Sequence, residues 1–261
     1  RWLLVGLALT PFMLGPVLRN RRYILTNLGK FVVLGLLGMA VYQSLAYYAA
    51  ALTSATNMGI ILSLMPLMSL GLASSILAHR LNAGALLGAL VSLAGVVLVI
   101  SQGHLGALLE HGVNLGDAMM IVATLAYAVY SVLLKKWSLK LPAMQLLYLQ
   151  VLVAILALLP LYLLSPRTGL NAANLPLVLY AALFASIVAA LAWMHGVARL
   201  GPSRMALFFN LLPIITACIA TLVLGERLTV HHLVGGALTL AGVLLAEFWQ
   251  RRPARLRSAT C

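Results

Sequence analysis

Long apolar stretches separated by short basic clusters dominate this chain. Ala83 to Ile100 and Leu207 to Leu224 each run without a charged residue. At the helical rise of about 1.5 Å per residue, either crosses most of a hydrocarbon layer about 30 Å thick. Inside such a layer every backbone N–H and C=O must find its partner within the protein, so only helices or a closed barrel span it. A barrel needs short alternating segments. These segments are continuous and rich in Leu, Ala and Gly, so they are helices. Nine spans are predicted, at 2–18, 30–50, 55–78, 83–101, 116–134, 142–164, 175–197, 203–223 and 229–248. Most connections are short, which makes sequential helices antiparallel. Only 102–115 and the stretch around 165–174 read as true loops.

Composition agrees. Hydrophobic residues make up 63% and charged residues 8%, against about a quarter charged in soluble domains. A net charge of +13 suits nucleic acid in principle, but the cations lie in short clusters between apolar spans, so they report topology and not a nucleic-acid face. One side holds Arg19, Arg21, Arg22, Lys30, Arg80, Lys135, Lys136, Lys140, Arg199, Arg204, Arg251, Arg252, Arg255 and Arg257, and the other only Arg1, Arg167 and Arg227. The bias places the first set, with the C-terminus, in the cytoplasm of a multi-pass protein of the inner (plasma) membrane. Cys218, inside a span, and Cys261, in a basic tail, are not expected to pair. No charged region of a cleavable leader precedes the first apolar run.

The chain matches itself at an offset of 147 residues. Met58, Leu64, Pro66, Arg80, Leu81, Gly88 and Gly95 recur as Met205, Leu211, Pro213, Arg227, Leu228, Gly235 and Gly242. Shared Leu/Ala/Gly bias would not keep Pro, Arg and two Gly in one register. Arg80 falls on the cytoplasmic side and Arg227 on the other, so the halves are inverted, which requires an odd number of helices in each. The second half has five, and the counterpart of its first helix would precede residue 1. The expectation is an all-α polytopic membrane protein of two inverted five-helix repeats, with ten helices in the complete protein, nine visible here and the first missing. The first repeat occupies 1–101, an external loop 102–115, the second repeat 116–248 and a basic cytoplasmic tail 249–261.

Several motifs carry a family likeness. Tyr47 to Leu52 followed by Thr53-Ser54-Ala55 forms an aromatic-rich helix end and small-residue turn. Leu64-Met65-Pro66-Leu67 and Leu211-Leu212-Pro213-Ile214 are mid-helix proline segments. Gly225-Glu226-Arg227-Leu228 has Ala78-His79-Arg80-Leu81 as a degenerate partner, and Gly116-Asp117 opens a helix bearing Tyr127. With these the sequence resembles, over essentially its whole length, the EamA-type family of the drug/metabolite transporter superfamily, and is similar to its amino-acid exporters. The resemblance implies a ten-helix transporter with a central cavity for efflux of amino acids or related metabolites. It leaves the substrate open, because family members carry amino acids, drugs, purines and sugars on nearly the same motifs. His79 stands where the family usually has an acid, which weakens an acid–arginine pair there.

Charge inside a bilayer is costly and normally functional. Asp117, Glu226 and Glu247 sit at predicted helix ends and Glu110 in a loop, so a carboxylate proton relay is unsupported and facilitative alternating access is the simplest mechanism. His195 is the candidate proton-coupling group, with a local hydrogen bond as the plainer role. Recognition then falls to neutral polar and aromatic side chains on shared helix faces. Gln43 and Tyr47 align with Ala50, Thr124, Tyr127 and Ser131 with Met120, and Ser186 and Trp193 with Ala190. An interfacial aromatic belt competes for Tyr47 and Trp193 and takes Trp137, Trp249 and Tyr162. Ser63 and Asn210 each precede a repeat proline by three residues. They either repair the carbonyl that the proline frees, near Leu62 and Phe209, or line the substrate path. Gly88, Ser92 and Gly95, repeated as Gly235, Thr239 and Gly242, read as helix-packing or gating contacts.

The expected partners are a small-molecule substrate and the lipid bilayer, with no cofactor, metal or nucleic acid. Another metabolite class, a nucleobase or a drug with proton coupling, is the alternative. A membrane-embedded enzyme is disfavoured, because paired carboxylates, a His/Asp metal cluster and a Ser/His/Asp set at shared depth are all lacking. If Asn210 lines the path, Asn210→Leu abolishes transport while expression and folding stay near normal; retained transport removes Asn210 from the site.

Overall fold

The computed structural model describes residues 1–53, 55–78, 83–101, 114–164, 175–224 and 230–251. The Gly225 to Leu228 motif, the His79-Arg80-Leu81 segment, Glu110, Arg167 and the tail beyond Arg251 lie outside the described residues, as does most of the two stretches read as loops. Among the described residues there is no strand. The helices are α1 (Trp2–Arg19), α2 (Arg21–Thr26), α3 (Leu28–Leu52), α4 (Ala55–Ser63), α5 (Met65–Leu77), α6 (Ala83–Ser101), α7 (Leu115–Trp137), α8 (Ala143–Leu164), α9 (Leu175–Leu200), α10 (Pro202–Leu207), α11 (Leu212–Leu224) and α12 (Val230–Arg251).

Seven described helical stretches are long and apolar enough to cross a membrane, and Ala83–Val99 and Pro202–Ile215 are shorter apolar helices. The side chains are distributed inside out relative to a soluble domain. Leu164 and Leu222 are each 85% exposed, whereas Ser69, Ser92, Thr124, Ser131, Gln150, Ser186, Asn210 and Thr239 are fully buried. Lipid is as apolar as leucine, so these helices gain nothing by hiding leucine and associate through small and polar contacts.

Three spans are not regular. Leu36–Val41 within α3 and Ala181–Val188 within α9 are π-helical, a form that is rare and often marks functional sites. Shifted by 147 positions, Leu36–Val41 falls on Leu183–Val188, so the wide turns occupy equivalent places in the two sequence halves. Between α10 and α11, Phe208–Leu211 tightens into a 3-10 turn just before Pro213. The counterpart break comes at Leu64, between α4 and α5 and before Pro66.

The chain forms two compact units, and each draws on both sequence halves. The first contains Arg1–Ser44 and Val129–Gly201. There α8 is central: Gly6 of α1 abuts Val151 and Ile155, and Gly35 of α3 abuts Val153 and the Gln150 carbonyl. Gly38, in the π-helical turn, lies against the ring of buried Tyr130 on α7. Trp2 Nε1 donates to the Met39 carbonyl at 3.2 Å, and the Thr10 and Tyr148 hydroxyls are hydrogen-bonded at 3.0 Å.

The second unit contains Leu45–Ala128 and Pro202–Cys261. Its dominant contact is the seam between α6 and α12. A Cβ on Gly88 would strike the Ala246 backbone, one on Gly95 the Thr239 nitrogen, one on Gly235 Val99, and one on Gly242 the Ser92 nitrogen. Positions rise along α6 as they fall along α12, so the pair is antiparallel. A shift of 147 exchanges Gly88–Ala246 with Gly235–Val99, and Gly95–Thr239 with Gly242–Ser92. The seam is self-complementary.

A larger side chain in this seam has no space to enter. Gly242→Val is expected to cost about 1–3 kcal/mol through overpacking. Gly15→Ala, whose added methyl meets nothing within 4 Å, leaves stability unchanged or slightly raised. Thermal melting of the two purified variants checks the contrast.

Candidate functional site

In the first unit the structure brings two of the sequence candidates together. Trp193 Nε1 on α9 donates to Ser131 Oγ on α7 at 3.2 Å, and both residues are buried. A buried indole N–H needs an acceptor, and the Thr124, Tyr127 and Ser131 stripe of α7 supplies one. Gln43 is half-buried just past the π-helical turn of α3. Ser186 is inside the other π-helical turn, and its hydroxyl donates to the Ala181 carbonyl five residues back at 2.6 Å, so it serves its own helix. His195 is exposed, with Nδ1 2.8 Å from the Leu191 carbonyl.

The same unit holds a polar pair that the face analysis did not select. The buried Tyr130 hydroxyl lies beside the Gln150 amide, which is itself fully buried within α8. The signal was present in the sequence, because an amide well inside an apolar span is costly unless it has a task.

In the second unit, Tyr127 meets Phe209 edge to face, with ring centroids 6.1 Å apart and planes at 81°. The neighbouring Asn210 is fully buried in the 3-10 turn. Its Nδ2 donates to Ser92 Oγ on α6 at 2.9 Å, while its Oδ1 is buried without a protein hydrogen bond. The two proline-linked candidates therefore differ. Ser63 bonds the Ile60 carbonyl within its own helix at 2.6 Å, whereas Asn210 reaches across to another helix. This adds a stability cost of about 1 kcal/mol to any loss of the Asn210 amide, which the sequence alone did not indicate. Thr124 donates to the Met120 carbonyl at 2.8 Å, and Tyr47 is 63% exposed.

Two carboxylates fall among the described residues, and both are engaged within this unit. Asn114 and Asp117 form a reciprocal cap at the start of α7. The Asp117 N–H donates to Asn114 Oδ1 at 2.9 Å, and the Asn114 N–H to Asp117 Oδ2 at 3.1 Å. Thr53 Oγ1 and Asn57 Nδ2 donate to the remaining Oδ1 at 2.5 and 3.1 Å. Glu247, near the end of α12, accepts from both Nε and Nη2 of Arg204 at the start of α10. Asn57 and Arg204 are 147 positions apart, so equivalent places in the two halves each grip one carboxylate. The Asn114–Asp117 cap is local, but the reach of Thr53 and Asn57 to it and the Arg204–Glu247 pair join residues far apart in the chain and were not legible from spacing.

A model of the EamA-like transporter family matches residues 1–101 and 114–248. The uncharacterized transporter YyaM of Bacillus subtilis (strain 168) is 29% identical over 227 residues, covering 85% of this chain and 73% of that protein. A probable terminal-alkyne amino-acid exporter of Streptantibioticus cattleyicolor is 28% identical over 247 residues, covering 94% of this chain and 81% of the other. A protein crystal structure superposes with a TM-score of 0.70 at 19% identity, covering 85% of this chain and 76% of that one. At that identity the likeness is one of fold.

Removing the Asp117 carboxylate takes away the acceptor shared by the Thr53, Asn57 and Asn114 donors. Asp117→Ala is expected to lose about 2–4 kcal/mol of stability, with Asp117→Asn intermediate because it keeps one acceptor oxygen. Thermal melting reads the order, and equal melting of Asp117→Ala and wild type would show the network to be idle.

Proposed function

The chain belongs to the EamA-like transporter family, and on that premise we propose that it exports amino acids or related small metabolites by facilitative alternating access. The observation that supports the facilitative part most directly is the state of the described carboxylates. A coupling proton needs a group that can gain and lose it along the path. Asp117 is held by donors on both oxygens and Glu247 by a two-pronged arginine contact. Each would surrender several charge-assisted bonds on protonation.

The chemistry of the remaining candidates suits a zwitterion, whose opposite charges cancel and demand no net counter-charge. Gln43 and Asn210 offer amides for an ammonium or a carboxylate. Tyr127 and Trp193 offer aromatic surface for an apolar or aromatic side chain. Thr124, Ser131, Ser186, Ser63 and Tyr47 belong to the proposed lining as smaller or peripheral contributors. The relative named as a probable amino-acid exporter points to the same class. A cationic drug would favour an unengaged carboxylate in the membrane, and none is found among the described residues.

The reading also includes two inverted repeats, 1–101 and 116–248, with the arginine- and lysine-rich ends facing the cytoplasm. Three observations support it: the family model matches in two stretches, the α6–α12 contacts exchange under the 147-residue shift, and the two π-helical turns fall at equivalent places. Inverted repeats supply the two faces that alternating access requires.

Uptake of radiolabelled amino acids, nucleobases and organic cations into proteoliposomes, with and without a pH gradient, tests the proposal. Entry of at least one neutral amino acid up to the external concentration, at a rate unaffected by the gradient, is the expected result. If no amino acid moves or competes, the substrate class is wrong. If uptake follows the gradient, the facilitative mechanism is wrong and His195 becomes the first residue to substitute.

A further inference from the structure

The first compact unit carries no Asp or Glu anywhere in its sequence, yet it holds Arg19, Arg21, Arg22, Lys30, Lys135, Lys136, Lys140 and Arg199 at the helix ends and turns. Neutral hydrogen bonds gather part of this charge. Asn20 Nδ2 donates to Gln145 Oε1 at 2.9 Å, and the Lys140 N–H donates to the Tyr23 hydroxyl at 3.0 Å. Helix α2 is thereby tied to the start of α8, across more than a hundred residues of chain. The ties seat exposed Arg21 and Arg22 near exposed Lys140, with exposed Arg19 one step before α2. Lys135 Nζ is turned to the Ala198 carbonyl, and Lys30 Nζ to Asn27 Oδ1 at 2.8 Å. Both of these side chains are therefore occupied.

The structure thus builds a cluster of like charges with no carboxylate in the unit to neutralise it. Such a cluster attracts a polyvalent anion. Its surroundings select the kind. Leu18, Leu25 and Leu28 are 58%, 67% and 49% exposed beside the cations, and α1, α3 and α8 are membrane-crossing by length and composition. A soluble phosphate would gain nothing from the leucines, whereas a lipid presents a phosphate and acyl chains together. We propose that Arg19, Arg21, Arg22 and Lys140, rimmed by Leu18, Leu25 and Leu28, form a docking surface for anionic phospholipid headgroups. α2 then acts as a short interfacial element with its arginines on the phosphates and Ile24, which is buried, holding it to the protein.

The test uses the full chain in nanodiscs of equimolar phosphatidylcholine and phosphatidylglycerol, with the lipid retained on detergent extraction quantified by mass spectrometry. Wild type retains phosphatidylglycerol in preference to phosphatidylcholine. Each cation removed lowers that preference about fivefold, so R21Q/R22Q/K140Q loses on the order of a hundredfold. R21K/R22K keeps it, because charge and not the guanidinium fork is required. Full preference in the triple glutamine variant overturns the proposal. Displacement of the retained lipid by inorganic phosphate alone, with an equal rise in melting temperature, overturns it in favour of a free-anion site. Substrate transport is not the readout, so the result stands apart from the identity of the transported molecule.

Discussion

Helices in lipid have no hydrophobic reason to associate, and the second unit answers this constraint with close backbone approach. Along α6 and α12 the contact atoms are backbone nitrogens, Cα atoms and carbonyls as often as side chains. Ser92 and Thr239, both fully buried, sit within the same seam. Dispersion at short range and a few hydrogen bonds replace the apolar burial that drives a soluble core. The buried face is accordingly small and polar and the exposed face is leucine. Asn210 follows the same pattern, donating its amide to Ser92 within this seam.

Charge is handled just as economically. Asp117 and Glu247 are engaged at helix ends, one by a reciprocal cap with two added donors and one by Arg204. The first unit has no carboxylate in its sequence, and there Lys135 turns to a backbone carbonyl and Lys30 to an amide oxygen. The contrast between the units was visible only once the fold had sorted the chain, because each unit is assembled from both sequence halves.

What could be read in advance follows from what leaves a periodic or compositional mark. The spans were legible because charge-free length is their defining property, and described helix ends fall within a few residues of the expected ones. The Gly88/Ser92/Gly95 stripe and its repeat were legible as packing because small residues at helical spacing have that use in lipid. The π-helical turns were not. Leu36-Leu37-Gly38-Met39-Ala40-Val41 and the stretch from Ala181 to Val188 contain nothing that separates them from ordinary helix. Helix α2 is too short to show a period, and basic residues had masked it as a connection. Helix faces named Ser131 and Trp193 separately, but a face does not say which neighbour it meets, so their hydrogen bond needed the fold. The same limit hid the difference between Ser63 and Asn210, which share a sequence position relative to proline and not a partner.

Because the α6–α12 seam rests largely on backbone, it has a mechanical consequence. A side-chain clash can be relieved by trimming its neighbour, but a clash with a backbone nitrogen cannot. Trimming a neighbour therefore gives no relief at Gly242, whose three nearest contacts are all backbone atoms of Ser92 and Gly88. A larger residue there is therefore felt as a displacement of one helix axis against the other and not as a local repacking.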